Sequence, residues 1–391
     1  MKTKINYKAL IPYFLCTMTY SFAAIMNAGL MEHVFVLKEL SYNDLEKIYY
    51  YDILGYIFGA FALLICNNYF TLRKIVIFNL LIYTLSVFAL SFIALNPKLT
   101  AIYSMVYSGT DVIIVTILLC YIFNDKKIIN IDVLSLFFLS IATAYFLVEF
   151  CLSHNPYQAD LTDINLTRNL VILNIIPIAI FLFIFIFADN FNSSTQNKNT
   201  GSLSILKNIE LELLSSFVIF YILMTIFWGY EVYALTDSLL MISVSDTKYY
   251  IFIAMLATST LAPRFIFKYN PHKINILSIL CLLLLFLSMP FWGISFFLDS
   301  ICWFLIGIIL YMYFWSNLFI LAEKFESANL QLTIILYTLA ASIGYYCGYL
   351  TIEITEDTIG EKSFLISICF VLFVLLGYYL YLYKKNNLKE W

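Results

Sequence analysis

Charged residues are scarce in this chain, since Asp, Glu, Lys and Arg together make up 12% of its 391 residues. An ordinary soluble domain is about a quarter charged and about half apolar, whereas 62% of this chain is hydrophobic. The mean hydropathy of +0.89 agrees with that bias. The composition excludes a large soluble core and is typical of a chain that uses lipid as its solvent.

Sequence motifs for several kinds of chemistry are also absent. A net charge of −3 offers no basic surface for nucleic acid. There is no GxxxxGK[ST] phosphate loop and no HExxH motif, which argues against ATP hydrolysis and against a zinc protease. The eight cysteines form no CxxC pair, and no Cys/His cluster has metal spacing. We therefore expect no cofactor, no metal and no enzymatic activity.

Long apolar runs dominate what is present. A spanning helix needs about 20 mostly apolar residues, and twelve segments meet this condition. They lie at roughly 10–36, 47–66, 75–94, 101–123, 131–152, 168–188, 211–235, 248–267, 274–293, 297–321, 328–352 and 363–383. The predicted fold class is an all-α polytopic membrane protein with about twelve transmembrane helices.

The distribution of Lys and Arg predicts the orientation. With the N-terminus in the cytoplasm, 16 of the 22 basic residues fall on the inner side and 6 on the outer side. Both termini are then cytoplasmic, which fits an even number of spans. We expect a multi-pass protein of the bacterial inner membrane.

A polar segment rich in Asn and Ser divides the chain near its middle. Residues 189–210 separate spans six and seven and are typical of a flexible cytoplasmic linker. The prediction is a six-helix bundle over 1–188 and a second over 211–391. The stretches around spans two and eight resemble each other at an offset close to 200 residues, as internal repeats of secondary transporters do.

Twelve spans, a central linker and a basic turn after spans two and eight together resemble the major facilitator superfamily. That family often carries Gly-x-x-x-Asp-Arg-x-Gly-Arg-Arg between spans two and three. Here the stretch is Asn68-Tyr-Phe-Thr-Leu-Arg-Lys74, which keeps only the closing basic pair. The resemblance is to a divergent member, and it implies a transporter in which two bundles rock about a central site.

Acidic residues inside the predicted spans are the strongest functional signal. Asp52, Asp111, Glu149 and Glu231 each cost about 2.5–3.5 kcal/mol near a helix centre on insertion scales. A lipid-facing Leu or Ile returns only about 0.3–0.6 kcal/mol. These acids are therefore expected to face protein or a watery cavity.

Asp111 lies near the middle of span four, on one helix face with Tyr103 and Tyr107. A carboxylate at that depth is a candidate for proton coupling and for substrate binding. The alternative is an Asp that packs helices together through hydrogen bonds to neighbouring hydroxyls.

Glu231 shares a face of span seven with Tyr221 and Trp228, and we predict that this face lines the cavity. Glu231 is a second candidate for proton coupling, and all three are candidates for substrate binding. The alternative is an aromatic belt at the interface with a Glu that reaches the outer water.

The remaining candidates are more widely spread. Glu149 in span five is a third residue for proton coupling, and Asp52 lies near the outer end of span two. Either could reach outer water. The other predicted substrate ligands are Tyr20 and Asn27 in span one, Asp52, Tyr107, Asp111, and Tyr311 and Asn317 in span ten.

No basic residue lies at mid-membrane depth in the predicted spans, which favours a cationic, zwitterionic or neutral substrate. A desolvated carboxylate titrates usefully, so protons are the favoured coupling ion, with sodium as the alternative. The predicted function is secondary transport of a small polar metabolite, such as an amino acid, a related nutrient or a siderophore-like compound, by a monomer. The alternatives are a lipid-linked glycan flippase or polymerase, or a drug-type exporter.

Overall fold

The structure is a computed structural model. It describes residues 7–37, 42–93, 97–124, 174–188, 209–234, 268–289, 296–324, 327–359 and 363–385, together with residues 191 and 250 and parts of 139–148, 253–258 and 265–266. Side chains are described over a narrower set, chiefly within 10–26, 47–89, 98–123, 174–188, 209–226, 268–289, 297–324 apart from 299, 329–355 and 365–381.

Ten helices have defined bounds in this part of the chain. They are α1 Tyr7–Leu37, α2 Tyr42–Cys66, α3 Leu72–Ile93, α4 Pro97–Asn124, α5 Ile175–Phe187, α6 Glu210–Ala234, α7 Pro271–Ser288, α8 Phe296–Lys324, α9 Ser327–Ile359 and α10 Ser363–Lys385. Six of them contain a segment long and apolar enough to cross a membrane.

Each of the ten helices falls on one of the twelve predicted spans. The other two predicted spans, 131–152 and 248–267, lie largely outside the described residues, although the pieces described within them are mostly helical. The chain is an all-α polytopic membrane protein, as its sequence predicts.

Large apolar side chains lie on the outer faces of several described helices. Phe183, Phe187, Phe370 and Phe373 are each more than 60% exposed. An exposed Phe on this scale is favourable only where the surroundings are as apolar as the side chain, which is the hydrocarbon of a bilayer. The outer faces of these helices therefore contact lipid.

The chain divides into two compact units, Met1–Thr200 and Gly201–Trp391. In unit 1, α4 packs against α1, α2 and α3, while α5 packs against α1 and α3. In unit 2, α6 packs against α8, α9 and α10, and α7 packs against α8 and α10. The predicted linker at 189–210 lies mostly outside the described residues, so its bounds stay a prediction.

Glycines bring one pair of helices in each unit into backbone contact. In unit 1, a Cβ on Gly55 or Gly59 of α2 would clash with the backbone of α4, at Met105 and Gly109 respectively. In unit 2, a Cβ on Gly344 or Gly348 of α9 would clash with the backbone of α6. Each pair is spaced by four residues, the small-xxx-small pattern that lets transmembrane helices approach closely.

Polar side chains fix two of the helix ends. The side chain of Asn270 accepts a hydrogen bond from the backbone N–H of His272 at 2.9 Å, and Pro271 begins α7. This is a helix start with an N-cap and a proline whose missing N–H costs nothing there. At the start of α3, Nη2 of Arg73 donates to the backbone oxygen of Ile186 at the end of α5, at 3.0 Å. A cation at a helix C-terminus also complements the helix dipole.

Candidate functional site

A carboxylate and a phenol meet near the middle of unit 1. The hydroxyl of Tyr20 donates a hydrogen bond to Oδ1 of Asp111 at 2.8 Å. Tyr20 is the fourteenth of 31 residues in α1, and Asp111 is the fifteenth of 28 in α4. Tyr20 is 1% exposed, while Asp111 is only partly buried. The structure therefore brings together two of the predicted site residues at the mid-length of both helices.

Aromatic rings surround this pair. The ring of Tyr20 lies 5.8 Å from that of Tyr83 and 5.7 Å from that of Phe181. Tyr107, another predicted ligand, contacts Tyr83 at 5.5 Å between ring centroids. The Tyr107 hydroxyl donates to the backbone oxygen of Ala24 at 2.7 Å, so its proton is not directed at Asp111. Asp111 thus has a mostly aromatic neighbourhood with a hydroxyl donor in it.

The second described acid within a span of unit 1 is Asp52. Its Oδ1 accepts hydrogen bonds from the hydroxyl of Ser104 at 2.8 Å and from the hydroxyl of Ser108. The sequence predicts Asp52 near the outer end of a span that begins at 47. The helix begins earlier, at Tyr42, and Asp52 is the eleventh of its 25 residues. Asp52 thus lies further from the end of its helix than the sequence predicts. It bonds to two serines of α4 and is partly exposed.

Basic side chains keep away from the middle of the described helices. Those described are Lys47, Arg73, Lys74, Lys98, Lys268, Lys273 and Lys324. Each lies within two turns of a helix end or just outside one. No cationic partner of Asp52 or Asp111 is recorded among the described residues. The described residues also contain no group of three or more His, Cys, Asp or Glu side chains that could hold a metal.

Unit 2 contains the other described candidates, which are Tyr221, Tyr311 and Asn317. Tyr221 of α6 is 5% exposed and stacks on Phe217 at 6.1 Å. Tyr311 of α8 is 4% exposed and contacts Trp315 edge-on at 6.0 Å. Both are large aromatic side chains packed inside the unit, and nothing described shows a ligand-facing hydroxyl on either.

Asn317 lies in a fully buried polar network that joins α7, α8 and α10 of unit 2. Its Oδ1 accepts from Nδ2 of Asn275 at 3.0 Å, and its Nδ2 donates to the backbone oxygen of Tyr313 at 2.7 Å. Asn275 also accepts from Ser316 and donates to the hydroxyl of Tyr379 at 3.1 Å. The oxygen and the nitrogen of the Asn317 side-chain amide thus both bond within the protein, which favours a role in helix packing over ligand binding.

An ion pair joins α6 and α8 of unit 2. Nζ of Lys324, the last residue of α8, is 2.5 Å from Oε1 of Glu212 in the first turn of α6. The Glu212 side chain is 1% exposed, whereas that of Lys324 is 39% exposed. Each charge stands at the helix end whose dipole it complements. Sequence reasoning missed this pair because each residue lies at a span boundary, where charges are common.

Several predicted site residues cannot be placed. Asn27, Trp228 and Glu231 lie in described helices, but their side chains are outside the described set. Glu149 is outside the described residues altogether. Their roles stay predictions.

Sequence reasoning also missed the two serines beside Asp52. The signal was present, because Ser104 and Ser108 are four residues apart and Asp111 follows three residues later. Positions with this spacing share one helix face. What the sequence did not reveal is that α2 carries Asp52 to that face.

Sequence comparison finds a relative that matches part of this chain. No family model matches the chain. Uncharacterized protein RP255 of Rickettsia prowazekii (strain Madrid E) is 28% identical over 222 residues, which is 57% of this chain. The match spans 58% of the length of that curated relative.

Comparisons with solved structures cover nearly the whole chain. The Escherichia coli fucose:proton symporter FucP superposes with a TM-score of 0.71 at 15% identity, over 95% of this chain and 99% of that one. The proton:xylose symporter XylE superposes with a TM-score of 0.72 at 13% identity, over 96% of this chain and 95% of that one. Both are major facilitator superfamily transporters. The chain therefore has the fold of that superfamily, as its topology predicts.

Proposed function

We propose that this chain is a secondary active transporter of a small polar metabolite, working by alternating access and coupled to protons. The observation that carries the proposal is the hydrogen bond of 2.8 Å between Tyr20 and Asp111 at the mid-length of α1 and α4. A charge at that depth is costly, so an acid there marks an ion or substrate path by default. The major facilitator fold supplies the two-unit architecture that such a cycle uses.

The charge of the site favours a substrate that is cationic, zwitterionic or neutral. Asp111 and Asp52 have hydroxyl partners, and no cationic partner is recorded for them within the described helices. An anionic substrate would need a buried Arg or Lys, or helix N-termini directed at it. An amino acid, a related nutrient or a siderophore-like compound fits this requirement.

Protons are the preferred coupling ion in this proposal, with sodium as the alternative. The neighbours FucP and XylE are a fucose:proton and a proton:xylose symporter. Asp111 is the proposed coupling residue, with Glu231 and Glu149 as further candidates. The proposed substrate ligands are Tyr20, Asn27, Asp52, Tyr107, Asp111, Tyr221, Trp228, Glu231 and Tyr311. Asn317 is a further proposed ligand, and its amide also bonds within the protein.

The proposed location is the inner membrane of a bacterium, with both termini in the cytoplasm and the protein acting as a monomer. The support is the excess of Lys and Arg on the predicted inner side, where 16 of 22 fall. In that orientation α2 and α4 run inward, and α1 runs outward.

A thermal-shift screen of the purified protein tests the proposal. The panel holds amino acids, sugars, nucleosides, organic acids and iron chelators, each at two pH values. A compound at 100 times its dissociation constant stabilises the folded state by about 2.7 kcal/mol. We expect a compound that stabilises the wild type more strongly at one of the two pH values and loses this effect in Asp111→Asn.

A stabilising compound whose effect is unchanged in Asp111→Asn would remove Asp111 from the site. The absence of any stabilising compound would count against transport of a nutrient. The matched control is Glu323→Gln, which removes an exposed carboxylate at the end of α8.

A further inference from the structure

Asp52 lies in a pocket formed by two neighbouring helices of unit 1. Its Oδ1 accepts hydrogen bonds from the hydroxyls of Ser104 and Ser108, which lie on successive turns of α4. Asp111 follows three residues later on the same face, but its hydrogen bond goes to Tyr20 of α1. The α4 helix therefore carries Asp111 and also bonds to Asp52 through its serines. Different hydroxyls bond to the two carboxyl groups.

The hydrogen bonds of Asp52 suit a carboxyl group that exchanges a proton. A carboxylate oxygen accepts through two lone pairs, and the two serine hydroxyls use both on Oδ1. Within the described residues no hydrogen bond is recorded to Oδ2. A proton that binds Oδ2 makes the group a neutral acid whose Oδ1 is the carbonyl oxygen. That oxygen still accepts from both serines, so protonation requires no rearrangement of the pocket.

The glycine contact beside the pocket holds this geometry in place. Gly55 follows Asp52 by three residues, and its backbone lies against Met105 of α4. One turn further, Gly59 lies against Gly109. Because no side chain separates the two backbones there, the close contact of α2 and α4 begins one turn after Asp52 and holds it against its serines.

The groups around the pocket leave Asp52 free to change its charge. One helical turn from Asp52 on α2, the titratable side chains are Tyr49 and Tyr56, and α4 carries Tyr103, Tyr107 and Asp111 beside the two serines. None of them is a cation that would hold Asp52 in the charged form. Asp52 bonds to serines that lie one and two helical turns before Asp111, and two like charges in a region of low dielectric repel each other.

The two carboxyl groups occupy different depths. The midpoint between Ser104 and Ser108 is five residues before Asp111, which is about 7 Å along α4 at the rise of an α-helix. In the proposed orientation the Asp52 pocket lies on the outer side of Asp111. A proton that enters from outside would reach Asp52 first.

We propose that Asp52 is a second proton-binding residue, separate from Asp111 and held ready by the hydroxyls of Ser104 and Ser108. A role of Asp52 in transport rests on the proposed function and deepens it. The two proton sites would then act in series, with Asp52 beside the outer part of α4 and Asp111 further inward. Proton binding itself does not depend on a substrate and is measured without one.

Infrared difference spectroscopy of the full-length protein in lipid nanodiscs tests this inference. The C=O stretch of protonated carboxyl groups is compared between mildly alkaline and mildly acidic buffer. We expect Asp52→Asn to lose one carboxyl signal and to keep the signal that Asp111→Asn removes. The double variant Ser104→Ala/Ser108→Ala should keep the Asp52 signal but move it to higher frequency, because the carbonyl oxygen loses two hydrogen bonds.

A carboxyl spectrum of Asp52→Asn identical to that of the wild type would overturn the inference. If Asp52→Asn does not fold, the serine variant decides, since an unmoved set of carboxyl signals there also overturns it. Glu212→Gln is the matched control and should retain both signals, because the Glu212 carboxylate is paired with Lys324. A ligand screen without a stabilising compound would count against transport but leaves these spectra to decide proton binding by Asp52.

Discussion

Tyr20 and Asp111 are 91 residues apart in the chain and are joined by a hydrogen bond of 2.8 Å between α1 and α4. The donor is fully buried and the acceptor is partly exposed. A phenol that is fixed by packing can hold a carboxylate in one orientation while the other carboxylate oxygen stays available. Two predictions concern the two ends of this bond.

Removing the carboxylate at Asp111 is expected to abolish proton-coupled accumulation without preventing membrane insertion. Asp111→Asn keeps the shape of the side chain and its ability to accept from Tyr20, but it cannot bind a proton or balance a cation. The measurement is uptake into proteoliposomes of the compound found in the stabilisation screen, with an imposed pH gradient. Accumulation at the wild-type level by Asp111→Asn would exclude this residue from the mechanism.

Removing the hydroxyl of Tyr20 is expected to weaken transport without abolishing it. Tyr20→Phe deletes a hydrogen bond to a charged group, which is worth about 1.5–3 kcal/mol, or roughly 10- to 150-fold in an equilibrium constant. The same uptake assay, run over a range of substrate concentrations, measures the change. Tyr121→Phe is the control, because Tyr121 of α4 contacts Phe185 and Phe191 through its ring. Equal effects of the two substitutions would contradict a special role for the Tyr20 hydroxyl.

The spans could be predicted from the sequence, but the contacts of the site could not. A continuous apolar run of about 20 residues has few stable structures in lipid other than a spanning helix, since each backbone polar group must be satisfied within it. The run predicted at 101–123 is accordingly part of α4, Pro97–Asn124. The depth of Asp111 followed from its position in that run.

The partner of each acid depends on which helices become neighbours, and helix periodicity carries no such information. Tyr20 and Asp111 were both candidates, yet nothing in their local sequence links them. Asn317 is a similar case, because nothing in its local sequence indicates that its amide bonds to Asn275 of another helix. The Gly55 and Gly59 spacing was visible in the sequence, but its partner helix was not.

The contact between α2 and α4 is expected to tolerate no side chain at Gly59. Gly59→Ala places a Cβ against the backbone of Gly109, and overpacking of this kind costs about 1–3 kcal/mol. We expect a lower midpoint of thermal unfolding for the detergent-purified protein. Gly377→Ala is the matched control, because a Cβ there meets nothing within 4 Å. A midpoint of Gly59→Ala as high as that of Gly377→Ala would show that the two helices can move apart easily.

The ion pair between Glu212 and Lys324 is expected to respond asymmetrically to mutation. Lys324→Met leaves a carboxylate that is 1% exposed without its cation, and breaking a buried pair in this way costs about 3 kcal/mol or more. Glu212→Met leaves a lysine that already reaches solvent, at 39% exposure, so its cost is about 1 kcal/mol or less.

Thermal unfolding of the two single variants and of the double variant measures this difference. The double variant should recover most of the loss caused by Lys324→Met, because no buried charge remains. Equal losses in the two single variants would contradict the burial of Glu212.

The buried network in unit 2 has a consequence for how the chain is made. Ser215 of α6 and Asn275 of α7 both bond to the hydroxyl of Tyr379 in α10, at 3.0 and 3.1 Å. Tyr379 is therefore synthesised more than 100 residues after Asn275. Until α10 enters the membrane, Ser215 and Asn275 lack that partner. Assembly of the second half is therefore completed only when its last helix arrives, because that helix supplies the hydroxyl that joins α6 to α7.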